Sequence, residues 1–185
     1  MQLLLLGLVA FFTFLVDSNA QKIKTGKCPA IPVKKNFNVK EYAGVWYEIE
    51  KNPTSFEFGS KCTNAVYGDE GGYLSVTNRG VDIKTGKGRS IHGKVTIPDK
   101  SVPAKLKVKF DAVPRIGDYW VLDTDYKQYS VVFSCVSVDE ALKIEYLWIL
   151  SRTPTLDENV KESIYKLLDK RKISRDNLSP TIQDC

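Results

Sequence analysis

Short segments in which apolar and polar residues alternate dominate the middle of the chain. Residues 105–110, KLKVKF, alternate charged and apolar side chains with period two, the pattern of a strand with one wet face and one buried face. Pro103 lies just before this segment, where proline suits the start of a strand. Seven more segments of strand character are separated by turn sequences, and they begin at Gly44 or cover residues 63–67, 73–83, 89–97, 119–122, 129–136 and 143–150. These eight strands, with no helical segment between them, predict an antiparallel meander that closes into a barrel or packs as a sandwich.

The pattern changes period near the C terminus, where it predicts one amphipathic helix of about four turns. The apolar face of this helix consists of Leu156, Val160, Ile164, Leu167 and Leu168. Thr155 and Glu158 have the spacing of a capping box, which predicts the start of the helix. The apolar face favours packing against the outside of the sheet over binding to a membrane.

The first twenty residues have the pattern of a secretory signal peptide. An apolar run at residues 3–16 is too short to span a bilayer, and small residues at Ser18 and Ala20 suit a cleavage site. We therefore expect residues 1–20 to be a signal peptide and residues 21–185 to form one soluble domain, secreted to the extracellular space.

The cysteines and the charged residues limit the kinds of site and of partner that we expect for this chain. Four cysteines, Cys28, Cys62, Cys135 and Cys185, would enter an oxidising compartment, which favours two disulfides, although the residues alone leave three pairings open. There is no CxxC spacing and His92 is the only histidine, so we expect no metal site and no cofactor. The 27 basic and 22 acidic residues are spread along the chain without interleaved aromatics, which argues against a nucleic-acid partner. A solvated surface is favoured, and weak attraction to anionic membranes stays open.

Three motifs carry a resemblance to a known family. They are Asn36 and Phe37 with GVWY at residues 44–47, TDYKQY at residues 124–129, and LSR at residues 150–152. Together they resemble the three structural signatures of the lipocalins. Longer strings, GVWYEIEK, PAKLKVKF, YWVLDTDYKQYSVVFSC and WILSR, are similar to the apolipoprotein D branch and its insect relatives, and the likeness runs from Cys28 to Cys185. The resemblance implies an all-β fold, an eight-stranded antiparallel up-and-down lipocalin barrel with one C-terminal α-helix packed outside.

The resemblance gives the signature residues structural roles. It implies that Trp46 lies at the closed end of the barrel under Arg152, where a cation over an indole contributes about 0.5 to 2 kcal/mol. Gly44 would let the chain cross this floor closely, and Asp125, between Thr124 and Tyr126, would hydrogen-bond its own turn. It also implies the disulfides Cys28–Cys135 and Cys62–Cys185.

Alternation predicts which side chains face the interior. If Trp148 points inward, Ile144, Tyr146 and Leu150 share its face, and Leu147 and Ile149 pack outward. Leu106, Val108 and Phe110 face inward because the lysines between them must face water. The resemblance adds ligand contacts at Tyr42, Tyr67, Asn78 and Trp148. The predicted ligand-binding set is Tyr42, Tyr67, Asn78, Leu106, Val108, Phe110, Tyr146 and Trp148. For Asn78, a hydrogen bond to a ligand or water and a role in a turn are both open.

The loop at residues 51–60 would cross the open mouth of the barrel. Phe56 and Phe58 in this loop are interpreted as a lid or a surface-docking tip. The alternative is that one ring folds over the rim only to bury itself.

The leading function hypothesis is a secreted carrier of one small hydrophobic molecule, such as a fatty acid, a steroid, a retinoid or another lipid. A biliverdin-type pigment protein is the alternative within this class, since insect proteins that the chain resembles bind biliverdin. An enzyme is disfavoured, although a few lipocalins act as isomerases or on peroxidised lipids, because His92 has no evident nucleophilic partner and each cysteine is assigned to a disulfide. A third hypothesis is docking of the mouth loops on a lipoprotein, a membrane surface or a receptor.

Overall fold

The computed structural model describes residues 23–185, so the predicted signal peptide at residues 1–20 lies outside the described part of the chain. The elements are β1 (Ile23–Thr25), α1 (Val39–Tyr42), β2 (Gly44–Lys51), β3 (Ser60–Asp69), β4 (Leu74–Asp82), β5 (Gly88–Thr96), β6 (Lys105–Phe110), β7 (Ile116–Thr124), β8 (Tyr129–Ser137), β9 (Leu142–Ser151), α2 (Glu158–Lys170) and β10 (Ser179–Pro180). All eight predicted strands are present, as β2 to β9. Within residues 23–185, no helix is long and apolar enough to cross a membrane.

The strands β2 to β9 form a closed antiparallel barrel. Each pairs with its neighbour in sequence, and β9 also pairs with β2, which closes the sheet on itself. The all-β prediction of an up-and-down barrel is therefore confirmed, and the sandwich is wrong. The short strands β1 and β10 flank the barrel strands β9 and β2.

The apolar side chains separate into two layers, as alternation requires. One cluster lies inside the barrel and includes Trp46, Leu106 and Leu150. The other lies outside, where Leu147 and Ile149 of β9 pack with the buried α2 residues Ile164 and Leu168. The predicted outward pair and the position of the helix outside the barrel are both confirmed.

The start of α2 differs from the prediction. Asp157, not Thr155, is the N-cap, and its carboxylate accepts hydrogen bonds from the backbone N–H groups of Asn159 and Val160. Glu158 instead forms an ion pair with Lys161. The predicted capping box is wrong because a carboxylate two residues further along both satisfies the free N–H groups and carries the negative charge that a helix N-terminus favours.

The closed end of the barrel is built around Arg152. Its guanidinium carbon lies 3.7 Å from the centre of the Trp46 ring, and its nitrogens donate to the backbone carbonyls of Tyr126, Val45 and Glu41 at 2.9 Å each. Gly44 has φ +100°, and a β-carbon there would lie 3.1 Å from the Arg152 guanidinium. Glycine is therefore required both by the backbone conformation and by the close approach.

The neighbouring turn between β7 and β8 is held by its own side chains. Asp125 Oδ1 accepts from the backbone N–H groups of the next residues, those of Lys127, Gln128 and Tyr129. Partial burial alone would raise the pKa of Asp125, but these hydrogen bonds to the carboxylate lower it overall. Thr124 donates to the Tyr129 carbonyl and accepts from the Tyr126 N–H.

The two disulfides are Cys28–Cys135 and Cys62–Cys185, the pairing that the resemblance implies. The second fixes the C-terminal tail in a gap between β2 and β3, which pair with each other only over Gly44–Tyr47 of β2. In this gap the Thr181 N–H donates to the Ile49 carbonyl, and the Cys62 N–H donates to the Ile182 carbonyl. The tail therefore completes the barrel wall near its mouth.

Candidate functional site

The barrel interior brings together most of the predicted ligand-binding side chains. Tyr42, Tyr67 and Leu106 are buried at its base. Val108, Phe110 and Trp148 are only partly buried and pack against the same cluster. The Tyr146 ring stacks on the Trp148 ring, with centroids 5.7 Å apart and an interplanar angle of 13°. The structure therefore places these seven side chains together in the barrel interior, which we call the calyx.

Three phenols form a hydrogen-bonded network at the base of the calyx. The Tyr119 hydroxyl lies 2.9 Å from that of Tyr42 and 2.8 Å from that of Tyr67, and the Tyr42 hydroxyl also contacts Ser130 Oγ at 2.9 Å. Burial raises the pKa of Tyr42 to about 12 and the pKa values of Tyr67 and Tyr119 well above their ordinary range. The network is therefore neutral at physiological pH and can donate or accept hydrogen bonds without acting as a base.

Tyr119 was not among the predicted site residues. It lies opposite Leu106 in the register of β6 and β7, so it shares the inward face of Leu106. The alternation of Tyr119 with Val121 could have indicated this orientation, since Val121 is fully buried in the interior cluster.

Asn78 lies in the middle of β4 and not in a turn, so its interpretation as a turn residue is wrong. It is opposite Ala65 of β3, which packs in the interior cluster, and this register directs Asn78 into the calyx. Its Oδ1 atom is buried and has no hydrogen-bond partner among the described residues. The Thr63 hydroxyl oxygen is likewise buried and has no hydrogen-bond partner among the described residues. A buried acceptor without a donor is costly, so a donor from a bound molecule or water would stabilise this part of the calyx.

A charged cluster inside the mouth was also missed. Lys51 Nζ lies 2.7 Å from Glu48 Oε1 and 3.2 Å from Glu57 Oε2. We call Glu48, Lys51 and Glu57 the mouth cluster. Thr181 of the tail donates to Glu48 at 2.6 Å, and Thr54 donates to Glu57 at 2.7 Å. All three charged side chains are at most 13% exposed, so solvent screens them poorly.

The register shows that the mouth cluster faces inward. Glu48 is opposite Leu150, and Lys51 is opposite Trp148, two residues of the interior cluster. A shift of register between Glu48 and Glu50 changes the alternation, so that Glu50 faces outward like Ile49 before it and Lys51 points inward. Strict alternation from Trp46 would have predicted the orientation of Glu48, but not that of Lys51, because no sequence signal revealed the bulge.

The electrostatics of the mouth cluster are dominated by burial. Burial and then the repulsion of Glu57 raise the pKa of Glu48 to about 7, against the opposing effects of Lys51 and Thr181. Burial alone would lower the pKa of Lys51, but attraction to Glu48 and Glu57 raises it overall. The cluster therefore carries one net negative charge when Glu48 is ionised and none when Glu48 is protonated.

The loop across the mouth points Thr54 and Glu57 inward and its aromatic rings outward. Thr54 is 5% exposed, while Phe56 and Phe58 are 62% and 71% exposed. The Phe56 ring centroid lies 6.3 Å from that of Tyr146, at the edge of the calyx. The alternative in which one of these rings buries itself is therefore wrong.

Other exposed apolar side chains surround the same opening. The remaining three connections at this end carry Ile83, Val113 and Val138, and β7 begins there with Ile116; each of the four is between 39% and 65% exposed. We call these four residues, together with Phe56 and Phe58, the apolar rim.

Two further features lie outside the calyx. A shallow depression of about 460 Å³ on the outer face of β5, β6 and β7 is lined by Lys94, Thr96, Lys107, Lys109 and Ile116. His92 is exposed on the same outer face, with Nδ1 3.0 Å from Thr77 Oγ1. The single imidazole is therefore separated from the calyx by the barrel wall.

Comparison with known proteins agrees with this architecture. A family model described as a lipocalin-like domain matches residues 37–183. The chain is 36% identical to apolipoprotein D of Macaca fascicularis over 100% of this chain and 97% of that protein, and 41% identical to apolipoprotein D of Rattus norvegicus over 84% and 80%. The structure is similar to insecticyanin of the tobacco hornworm Manduca sexta, with a TM-score of 0.77 and 29% identity over 88% of this chain and 89% of that one. The chain belongs to the lipocalin family.

Proposed function

We propose that the protein is an extracellular carrier that takes one small hydrophobic molecule into the calyx and shields it from water. The observation that carries this proposal is a closed barrel whose interior combines an apolar wall with a buried acceptor, Asn78 Oδ1, that lacks a partner. An apolar cup with a few polar groups is the usual composition of a small-molecule site. Similarity to apolipoprotein D over the whole chain and two disulfides support carriage outside the cell.

Apolar contact in the calyx would supply part of the binding free energy. Burial of about 300 Å² of apolar ligand surface would contribute roughly 7 kcal/mol at about 25 cal/mol per Å². Because association itself costs several kcal/mol, micromolar affinity requires additional hydrogen bonds. Asn78, Thr63 and the phenol network are the groups in the calyx that can provide them.

A titration with four ligand classes tests the proposal. Residues 21–185 are produced through a secretory route and titrated separately with a long-chain fatty acid, a steroid, a retinoid and biliverdin. We expect saturable binding of at least one class at one equivalent. A folded and fully oxidised sample that binds none of the four would contradict carriage.

Biliverdin binding is the second candidate within the same class. The likeness to insecticyanin and the aromatic wall of Tyr146 and Trp148 support it. Biliverdin as the only ligand that binds at one equivalent, with a shifted visible absorption band, would favour the pigment protein over the general carrier.

We infer that the protein is not an enzyme. All four cysteines form disulfides, the three phenols at the base of the calyx are held neutral by burial, and His92 lies on the outer face. Turnover of a bound lipid that is lost on changing one calyx residue would contradict this inference.

The apolar rim supports a further role in docking on a membrane or lipoprotein surface. Phe56 and Phe58 project from the mouth, so a surface that they enter would receive ligand directly from the calyx. Flotation with neutral lipid vesicles tests this role. We expect the double variant Phe56→Ser, Phe58→Ser to lose binding and Val45→Ser, a change of an exposed apolar residue at the closed end, to retain it. Equal flotation of both variants would exclude docking through the rim.

A further inference from the structure

The polar groups of the calyx point to the chemistry of the ligand's polar end, an inference that rests on the carrier function proposed above. A fatty acid, an alcohol and an amine can share one alkyl chain, so the apolar wall cannot distinguish them. The discrimination must come from the groups that meet the polar end, which are the mouth cluster and the unpartnered Asn78 Oδ1 atom below it.

The mouth cluster offers an excess of negative charge. Its one cation, Lys51, already lies between two carboxylates, at 2.7 Å from Glu48 and 3.2 Å from Glu57. A ligand carboxylate that approached Lys51 would compete with both and would add a third negative charge to a poorly solvated site. An ammonium group would instead meet two carboxylates that share a single cation, and a hydroxyl group could donate to either of them.

The cations that border the barrel interior at its two ends are engaged elsewhere. At the mouth, Arg89 binds the carboxylate of Asp82. At the closed end, the Arg152 guanidinium donates to backbone carbonyls and stacks on Trp46. Neither arginine is therefore available to balance a carboxylate inside the calyx.

Asn78 provides an independent observation in the same direction. Its buried Oδ1 atom lacks a donor, and the inward register of β4 directs it into the calyx. A hydroxyl or ammonium group can supply that donor, whereas an ionised carboxylate has none to give. The mouth cluster therefore has more carboxylates than cations, and Asn78 adds a separate acceptor that lacks a donor.

We propose that the calyx selects apolar molecules whose polar end donates hydrogen bonds, an ammonium first and a hydroxyl second, and discriminates against carboxylates.

The preference depends on pH through Glu48. The groups that face Glu48 are Lys51 on its own strand, Glu57 from the mouth loop, the uncharged Thr181 hydroxyl from the tail and the apolar Leu150 from β9. Because the pKa of Glu48 is raised to about 7, its protonation below this pH leaves Lys51 balanced by Glu57 alone. The selection against carboxylates therefore weakens in mildly acidic solution.

Three ligands with the same twelve-carbon chain and different ends, dodecylamine, dodecanol and dodecanoate, test the proposal by calorimetric titration below their micelle concentrations. At about pH 8 we expect the amine to bind at least about tenfold more tightly than the carboxylate, with the alcohol between them. At about pH 5.5 we expect the difference to shrink to about threefold or less.

Single-residue variants locate the source of the preference. Glu57→Gln should narrow the ratio of amine to carboxylate affinity at about pH 8 to about threefold or less. The matched control is Glu50→Gln, which removes a carboxylate from the outer side of the same strand, where Glu50 accepts from Tyr165, and should leave the ratio unchanged.

The outcomes separate this inference from the carrier function. Wild-type protein that binds the carboxylate as tightly as the amine at about pH 8 would overturn the inference and leave carriage intact. An equal decrease of the amine-to-carboxylate affinity ratio in Glu57→Gln and in Glu50→Gln would also overturn the inference, because the preference would then arise from overall charge. Binding of none of the three ligands would overturn this inference, whereas carriage is contradicted only if the fatty acid, the steroid, the retinoid and biliverdin also fail to bind.

Discussion

Replacement of Glu48 by glutamine should change how stability depends on pH, because the folded protein holds this carboxyl group largely out of water. Its pKa is raised from an ordinary value of 4.5 to about 7, mainly by burial and by the repulsion of Glu57. A raised carboxyl pKa means that the folded state binds a proton which the unfolded state has already lost. The stabilising contribution of protonated Glu48 is therefore complete below about pH 4.5, declines as the pH rises, and is absent above about pH 7.

The size of the effect follows from the difference between the two pKa values. A shift of this size corresponds to about 3 kcal/mol, at about 1.4 kcal/mol per pH unit. Glutamine keeps the shape and the acceptor for Thr181 but does not titrate, so Glu48→Gln lacks this decline. We expect the free energy of unfolding of Glu48→Gln, relative to wild type, to rise by about 3 kcal/mol between about pH 4.5 and pH 8.

Urea unfolding at a series of pH values measures this difference. With a slope of about 2 kcal/mol per M, the midpoint of the variant should move by about 1 to 2 M relative to wild type across the series. A second variant, Thr181→Val, removes a hydrogen bond that lowers the pKa of Glu48. The free energy of unfolding of this variant should therefore continue to fall up to a higher pH than that of wild type. Wild-type and Glu48→Gln curves that stay parallel throughout would refute the reasoning.

Three further predictions concern stability. Tyr119→Phe should lower the free energy of unfolding by about 2 kcal/mol and Tyr67→Phe by about 1 kcal/mol, as measured by urea unfolding. The first change leaves the Tyr67 hydroxyl without its partner, whereas the second leaves Tyr119 bonded to Tyr42. Equal losses of stability would contradict the network. Arg152→Lys should lower the free energy of unfolding by about 2 kcal/mol or more, because an ammonium cannot both stack on an indole and reach several carbonyls; a thermal midpoint within one degree of wild type would contradict this role. Asp157→Ala should cost about 1 kcal/mol and Thr155→Ala much less, and the reverse order would restore the predicted capping box.

The strand pattern predicted the barrel because side-chain alternation has a fixed period of two. Leu106, Val108 and Phe110 had to share a face, and so did Trp148 and Leu150, whatever the details of the loops. The helix was equally readable, since Ile164 and Leu168 repeat at helical spacing. The first residue of the helix could not be predicted in the same way, because Thr155 and Asp157 are both suitable N-cap residues and only the local backbone decides between them.

The polar part of the calyx was the least predictable from sequence. Lys51 turns inward only because of a bulge beside Ile49, and Glu57 reaches it only because the mouth loop folds back over the opening. Thr181 arrives from the C-terminal tail, more than one hundred residues away in sequence. Contacts of this kind depend on tertiary packing, which leaves no periodic signal in the chain.

A brominated ligand tests the central claim, that one apolar molecule occupies the calyx, most directly. Bromine quenches tryptophan emission on contact, and Trp148 lies in the calyx wall, whereas Trp120 packs beside Lys105 with the outer cluster. Wild-type protein is titrated with a dibrominated long-chain alcohol in parallel with Trp148→Phe and Trp120→Phe. We expect quenching that saturates at one equivalent in wild type and in Trp120→Phe and is clearly reduced in Trp148→Phe, where Trp46 at the closed end is the one tryptophan left in the interior cluster. Quenching that persists in Trp148→Phe but disappears in Trp120→Phe would place the ligand on the outer face and contradict the account.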